Sequence, residues 1–159
     1  MMRKIVIGLL LLCATLVPAN PVTSNDNIPS HTLADKSADD AKAVQGTWKP
    51  IRAELAGQPL SDALLKTISL TLNNGQYEVL VGGAPDKGTY TLDSTTKPKS
   101  ITITGTAGPN RGKTFPAIYE LNGDTLRICY DLSGAKRPTE FKSVAGTKLY
   151  LVTYNREKQ

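Results

Sequence analysis

The sequence predicts an all-β fold: a single antiparallel up-and-down meander of about eight strands closed into a barrel, with a short N-terminal helical turn before it. Three observations predict this. From residue 45 onward the chain is made of short stretches in which apolar residues recur at every second position, the period of a half-buried strand. Turn residues stand at nearly every junction, as in Asn73-Asn74-Gly75 and Asn122-Gly123-Asp124. A meander with one apolar and one Thr-rich face must hide the apolar side, and closure does so while also removing exposed sheet edges.

The chain ahead of these strands reads differently. Arg3 and Lys4 precede an apolar run over residues 5–17, and Val17-Pro18-Ala19 offers a cleavage site, so residues 1–19 are expected to be a secretory signal peptide. The run has 13 residues, short of the roughly 20 needed to span a bilayer. A lipoprotein reading through Cys13 is disfavoured by the bulk of Leu12 just before it. The expected mature chain is therefore exported, periplasmic or secreted, has no transmembrane span and carries one cysteine, Cys129. Mid-strand in TLRICYD, Cys129 reads as a small buried hydrophobe. Residues 20–43 are polar and nearly free of large apolar side chains, which predicts a flexible tether. Its end, residues 37–44, suits one or two helical turns, with Ser37 as a cap and Asp39 and Asp40 near the N-terminus. The domain itself is assigned to residues 44–159 and is expected to be monomeric.

Each strand has its own signature. GTWKPIRAEL starts the set, and Pro50 within it lacks an N–H for the ladder, so a bulge or kink is expected there. SDALLK is the helical stretch of the body, capped by Ser61. TISLTLN sends Ile68, Leu70 and Leu72 to one side, and QYEVLV sends Tyr77, Val79 and Val81 inward. Pro85-Asp86 reads as the next turn. Then GTYTLD points Tyr90 and Leu92 inward, SITITG points Ile101 and Ile103, TFPAIYEL points Phe115, Ala117, Tyr119 and Leu121, and DTLRICYD points Leu126, Ile128 and Tyr130. TKLYLVTYNRE closes the set, and its pairing with GTWKPIRAEL would bring Trp48 and Arg156 to one end of the barrel.

Gly46-Thr47-Trp48 at the start of the first strand, with Arg156 after the last, resembles the opening and closing residues of lipocalin-like barrels. The resemblance implies that the arginine lies across the indole and seals one end, a structural role for Gly46, Trp48 and Arg156. The segments QGTW, DKGTYTLD, KPKSITITG, GPNRGKTFPAIYELNGDTLRICY, RPTEF and LYLVTYNRE are together similar to an uncharacterised lipocalin-like domain abundant in planctomycetes. That likeness covers residues 44–157 and brings no established activity. Physical chemistry points the same way: an indole buries a large area, its N–H needs a partner, and a guanidinium stacks on its face for about 0.5 to 2 kcal/mol.

Most chemistries are disfavoured. AGPNRGKT resembles a phosphate-binding loop, but that loop needs a helix after it, and TFPAIYEL has strand periodicity. The alternative is a basic hairpin loop in which Arg111 and Lys113 meet an anionic ligand at the barrel mouth. His31, the sole histidine, lies in the tether, so neither a His-assisted nucleophile nor a His/Cys metal cluster is assembled. No cofactor and no metal are expected, and the domain reads as a non-enzyme. Residues 45–159 carry 15 basic against 10 acidic residues, scattered without the aromatic interleaving of nucleic-acid binders. In KRPTEF, Phe141 is expected to plug the barrel or a loop base and Arg137 to pair with Glu140.

The tyrosines carry the functional expectation. Tyr77, Tyr90, Tyr119 and Tyr130 share phase with the aliphatic residues, so each brings a hydroxyl inward. They either complete a filled core or line a partly polar pocket, since barrels of about eight strands can hold one small ligand. The sequence thus predicts a binding domain for a small apolar or amphipathic molecule. The alternatives are an envelope protein–protein interaction module with a solid core and, third, an enzyme using carboxylates.

Overall fold

The alternating stretches become strands that pair in chain order, as short turns between antiparallel neighbours require. The computed structural model describes residues 33–158. Helix α1 (Leu33–Ala43) leads into β1 (Gly46–Leu55), followed by the two-residue β2 (Gln58–Pro59) and the single-turn α2 (Asp62–Leu65). The meander continues as β3 (Ile68–Asn73), β4 (Gln76–Val81), β5 (Ala84–Asp93), β6 (Lys99–Ala107), β7 (Thr114–Asn122), β8 (Thr125–Asp131) and β9 (Leu149–Arg156). Every neighbouring pair is antiparallel, and β1 pairs with both β3 and β9. The eight strands β1 and β3–β9 therefore form a closed barrel, with β2 as a small addition to β1.

The predicted inward phase holds on each strand it was assigned to, and these side chains make one continuous core, apart from Ile68 and Val81, which line the interior toward its other end, where Val81 is exposed. The bulge expected at Pro50 is present: the register with β9 slips between Pro50 and Arg52, leaving Ile51 as the extra residue and 55% exposed. One turn is placed differently. Pro85 and Asp86 belong to β5, opposite Leu80 and Val79, and the hairpin turn is Gly82-Gly83, with φ of 57° and 85°. A two-residue hairpin favours positive φ at both central residues, which two glycines adopt without strain, so the turn forms there and Pro85-Asp86 is drawn into the strand.

The N-terminal expectations fare unevenly. The signal peptide, Cys13, His31 and most of the tether lie outside the described residues. Within residues 33–43, expected to belong to the tether, the chain is helical over more than the one or two turns predicted. Asp40 fixes the end of α1 to the barrel, accepting from Lys99 Nζ at 2.6 Å and from the Tyr119 hydroxyl at 2.6 Å.

The long connection of residues 132–148 is a strap on the outside of the wall. The Arg137 guanidinium donates to the carbonyls of Ile101 and Ala117 and to Thr102 Oγ1, rather than pairing with Glu140. Phe141 lies outside the barrel against the Arg127 guanidinium, 4.2 Å from the ring centroid, and plugs nothing. The strap also explains why Ile118 and Cys129, on the outward phase of β7 and β8, are buried. The Cys129 thiol donates to the Lys142 carbonyl at 3.4 Å, and burial pushes its pKa up, which keeps it unreactive.

Candidate functional site

Antiparallel order gives the barrel two different ends. At the closed end stand α1, the β3–β4 and β7–β8 turns and the C-terminus; at the other stand α2, the Gly82-Gly83 turn, the β6–β7 loop and the strap.

The closed end is built from residues singled out in the sequence. Trp48 is 0% exposed, and its indole N–H donates to the Val44 carbonyl at 2.8 Å. The Arg156 guanidinium lies over the indole, 4.2 Å from the ring centroid. It also donates to the carbonyls of Ala43 and Gln45 and, through Nε, to Asp124 at 3.1 Å. Gly46, at φ 124°, leaves room for this: a Cβ there would come within 3.0 Å of Arg156 Nη1.

Beyond this seal the barrel interior is hollow. A cavity of about 270 Å³ is walled by aliphatic residues including Ile68, Leu70, Val79, Ile103 and Ile128, with Leu55 and Val81 exposed at its rim. Of the four tyrosines expected to line it, Tyr77 and Tyr130 do; Tyr90 and Tyr119 do not. Tyr119 is spent at the closed end, where burial, the hydrogen bond to Asp40 and the charge of Asp40 all push its pKa up. Tyr90 is buried in the core outside the cavity lining. Their places in the wall are taken by Tyr150 and Tyr154 of β9. Tyr130 and Tyr150 stack with ring centroids 5.8 Å apart, and Tyr154 lines the same wall.

The residue that sequence reasoning missed is Asp86. Its inward phase on β5 puts a carboxylate, 9% exposed, into the wall of an otherwise apolar cavity. Oδ2 accepts from the Tyr77 hydroxyl at 3.1 Å and from Asn110 Nδ2 at 2.9 Å; Oδ1 accepts from the Asn110 backbone N–H at 3.0 Å. All three donors are neutral. Burial, and then the charge and hydrogen bond of Asp86, push the Tyr77 hydroxyl pKa well above its ordinary value, so it stays a donor.

Two positions without a Cβ make this arrangement possible. The Tyr77 ring crosses Gly88, where a Cβ would come within 2.6 Å of it and 2.0 Å of the Thr104 carbonyl. The β6–β7 loop folds back over Gly105, where a Cβ would come within 2.0 Å of the Asn110 carbonyl oxygen. Gly105→Ala is therefore expected to push the loop outward, break both Asn110–Asp86 bonds and cost about 1 to 3 kcal/mol. Urea unfolding together with hydrogen exchange at the Asn110 amide checks this; an unchanged midpoint and unchanged protection would contradict it.

The same loop carries the basic pair. Arg111 and Lys113 are exposed, outside the cavity lining, and Lys113 Nζ donates to the Pro109 carbonyl at 3.2 Å. The segment after the loop is strand β7, so the helix that a phosphate-binding loop needs is not there. The carboxylates that acid–base chemistry would draw on are engaged elsewhere: Glu78 with Lys87 at 3.2 Å, Glu120 with Arg127 at 2.7 Å and Asp124 with Arg156. Asp131 accepts from Ser133 and from the Lys136 amide in its own turn. Among the described residues, no group of three or more His, Cys, Asp or Glu is placed to hold a metal, and no helix is long and apolar enough to cross a membrane.

Fold and site together define a small closed antiparallel barrel, sealed at one end by Trp48 and Arg156 and hollow toward the other. No family model matches the chain, and no curated protein matches it. Among solved structures, it is similar to a DUF4847 family protein from Bacteroides vulgatus, at 14% identity and a TM-score of 0.46, over 76% of this chain and 99% of that one.

Proposed function

We propose that this protein is an exported, non-catalytic binding domain that holds a small amphipathic molecule inside its barrel. The observation that carries the reading is the apolar cavity of about 270 Å³ with a hydrogen-bonded carboxylate set into its wall. Pockets for small molecules are concave and mostly apolar, with a few placed polar groups and typical volumes of about 300 to 1,000 Å³. A cavity at the lower edge of that range suits a ligand of few heavy atoms. Trp48 and Arg156 act in support: they close one end, so the ligand enters past Leu55 and Val81.

A second reading draws on the exposed Leu55, Leu64, Val81 and Val144, all on segments at the open end. These suit a partner protein docking over the mouth, the envelope interaction module expected as the alternative. Methyl-detected NMR during titration with 1-hexanol separates the two. The binding reading predicts saturable shifts at Ile68, Leu70, Val79, Ile103 and Ile128, with Ile118 on the outer face unmoved. Shifts confined to Leu55, Leu64, Val81 and Val144 would favour the docking surface, and shifts nowhere would remove the internal site.

A further inference from the structure

We infer that the cavity selects a small amphipathic organic cation, a primary alkylammonium with a short apolar tail; this rests on the reading of the cavity as a ligand site. A carboxylate in an apolar wall is costly unless paired and hydrogen-bonded. Asp86 has hydrogen bonds but no countercharge: among the described residues, no Lys, Arg or His nitrogen lies within 4.0 Å of its oxygens. The acceptors are also not all used. An ionised carboxylate has about four acceptor positions, and the structure fills three, two on Oδ2 and one on Oδ1.

The rest of the wall fits the same ligand class. Tyr77, Tyr130, Tyr150, Tyr154 and Phe115 bring five aromatic rings to one cavity, and ring faces attract a desolvated cation. Ile68, Leu70, Val79, Ile103 and Ile128 offer no hydrogen bond and suit a hydrocarbon tail. A carboxylate ligand would bring like charge beside Asp86, which a low-dielectric wall penalises strongly. Arg111 and Lys113 do not reverse this preference, because they are exposed and project outside the lining, where salt screens them. The anion-binding expectation for that loop therefore does not extend to the interior.

Calorimetric titration of the purified protein at neutral pH with hexylammonium, 1-hexanol and hexanoate tests the inference, since the tails match and only the head group changes. Hexylammonium is expected to bind at least tenfold more tightly than hexanol, with hexanoate weakest. In Asp86→Asn, hexylammonium should lose at least tenfold in affinity while hexanol binds as before. If hexanol or hexanoate binds as tightly as hexylammonium, or Asp86→Asn leaves the amine affinity intact, the cation preference is wrong and the cavity reading stands. If none of the three binds, the cavity reading fails and takes the inference with it. The order among the three probes is read on the unmutated protein, so it decides the matter even if Asp86→Asn does not fold.

Discussion

Trp48→Ala is expected to lower the unfolding free energy by about 3 to 5 kcal/mol, the range for truncating a buried large aromatic. Trp48 is fully buried, donates to the Val44 carbonyl and carries the Arg156 guanidinium on its face. Truncation opens a void at the sealed end, leaves the Val44 carbonyl unpaired and removes the platform that orients Arg156. Arg156 in turn holds the Ala43 and Gln45 carbonyls and Asp124, so α1, the β7–β8 turn and the last strand loosen together. For a domain of this size the loss corresponds to a melting temperature lower by more than about 10 °C. Thermal unfolding followed by circular dichroism measures it; a variant melting with the unmutated protein would show that the barrel does not depend on this seal.

The second large effect is alkaline. The pKa values of all six tyrosines are raised, Tyr150 to about 12, in each case chiefly by burial. In the unfolded chain these hydroxyls ionise near pH 10. Above that pH the unfolded state gives up protons that the folded state keeps, so the equilibrium shifts toward unfolding. The tyrosine contribution is therefore intact below about pH 10 and is lost as pH rises toward the folded values. Each such tyrosine removes about 1.4 kcal/mol per pH unit within its own window, so several acting together unfold the barrel over a narrow range. Urea midpoints measured from pH 8 to 12, beside tyrosinate absorbance, check this. The absorbance should rise with unfolding rather than ahead of it, and Tyr150→Phe should flatten the slope between about pH 10 and 12. Tyrosines that ionise without loss of structure would contradict it.

The meander was readable because strand phase and turn chemistry are local properties. Ile68, Leu70 and Leu72 show their alternation without reference to any other strand, and Asn74-Gly75 announces its own turn. Closure was readable because Trp48 and Arg156 sit at the two ends of the set and pair directly.

The site was harder to read because its parts depend on competition and height rather than on phase. Pro85-Asp86 has turn composition, but Gly82-Gly83 meets the positive φ values the hairpin uses and leaves Asp86 in the strand, facing inward. Phase says whether a tyrosine points inward, not how far along the axis it sits. Tyr119 lies beside α1 at the closed end, while Tyr77 reaches up over Gly88 to Asp86. The phase of Tyr150 and Tyr154 was available in the final strand and would have placed both inside. The strap is different again: what Arg137 grips is the backbone of strands far away in sequence, which no local pattern records.

On the reading proposed above, the interior of this barrel is a binding site rather than a packing void. Native mass spectrometry decides it most directly, comparing the protein with a Val79→Trp variant after both have been incubated with a cellular lipid and metabolite extract. Val79 lines the cavity, and an indole there occupies the space a ligand would use. A discrete adduct is expected on the unmutated protein, lost on denaturation and missing from the folded variant. A bare mass for the unmutated protein, or an equal adduct on both, would contradict it.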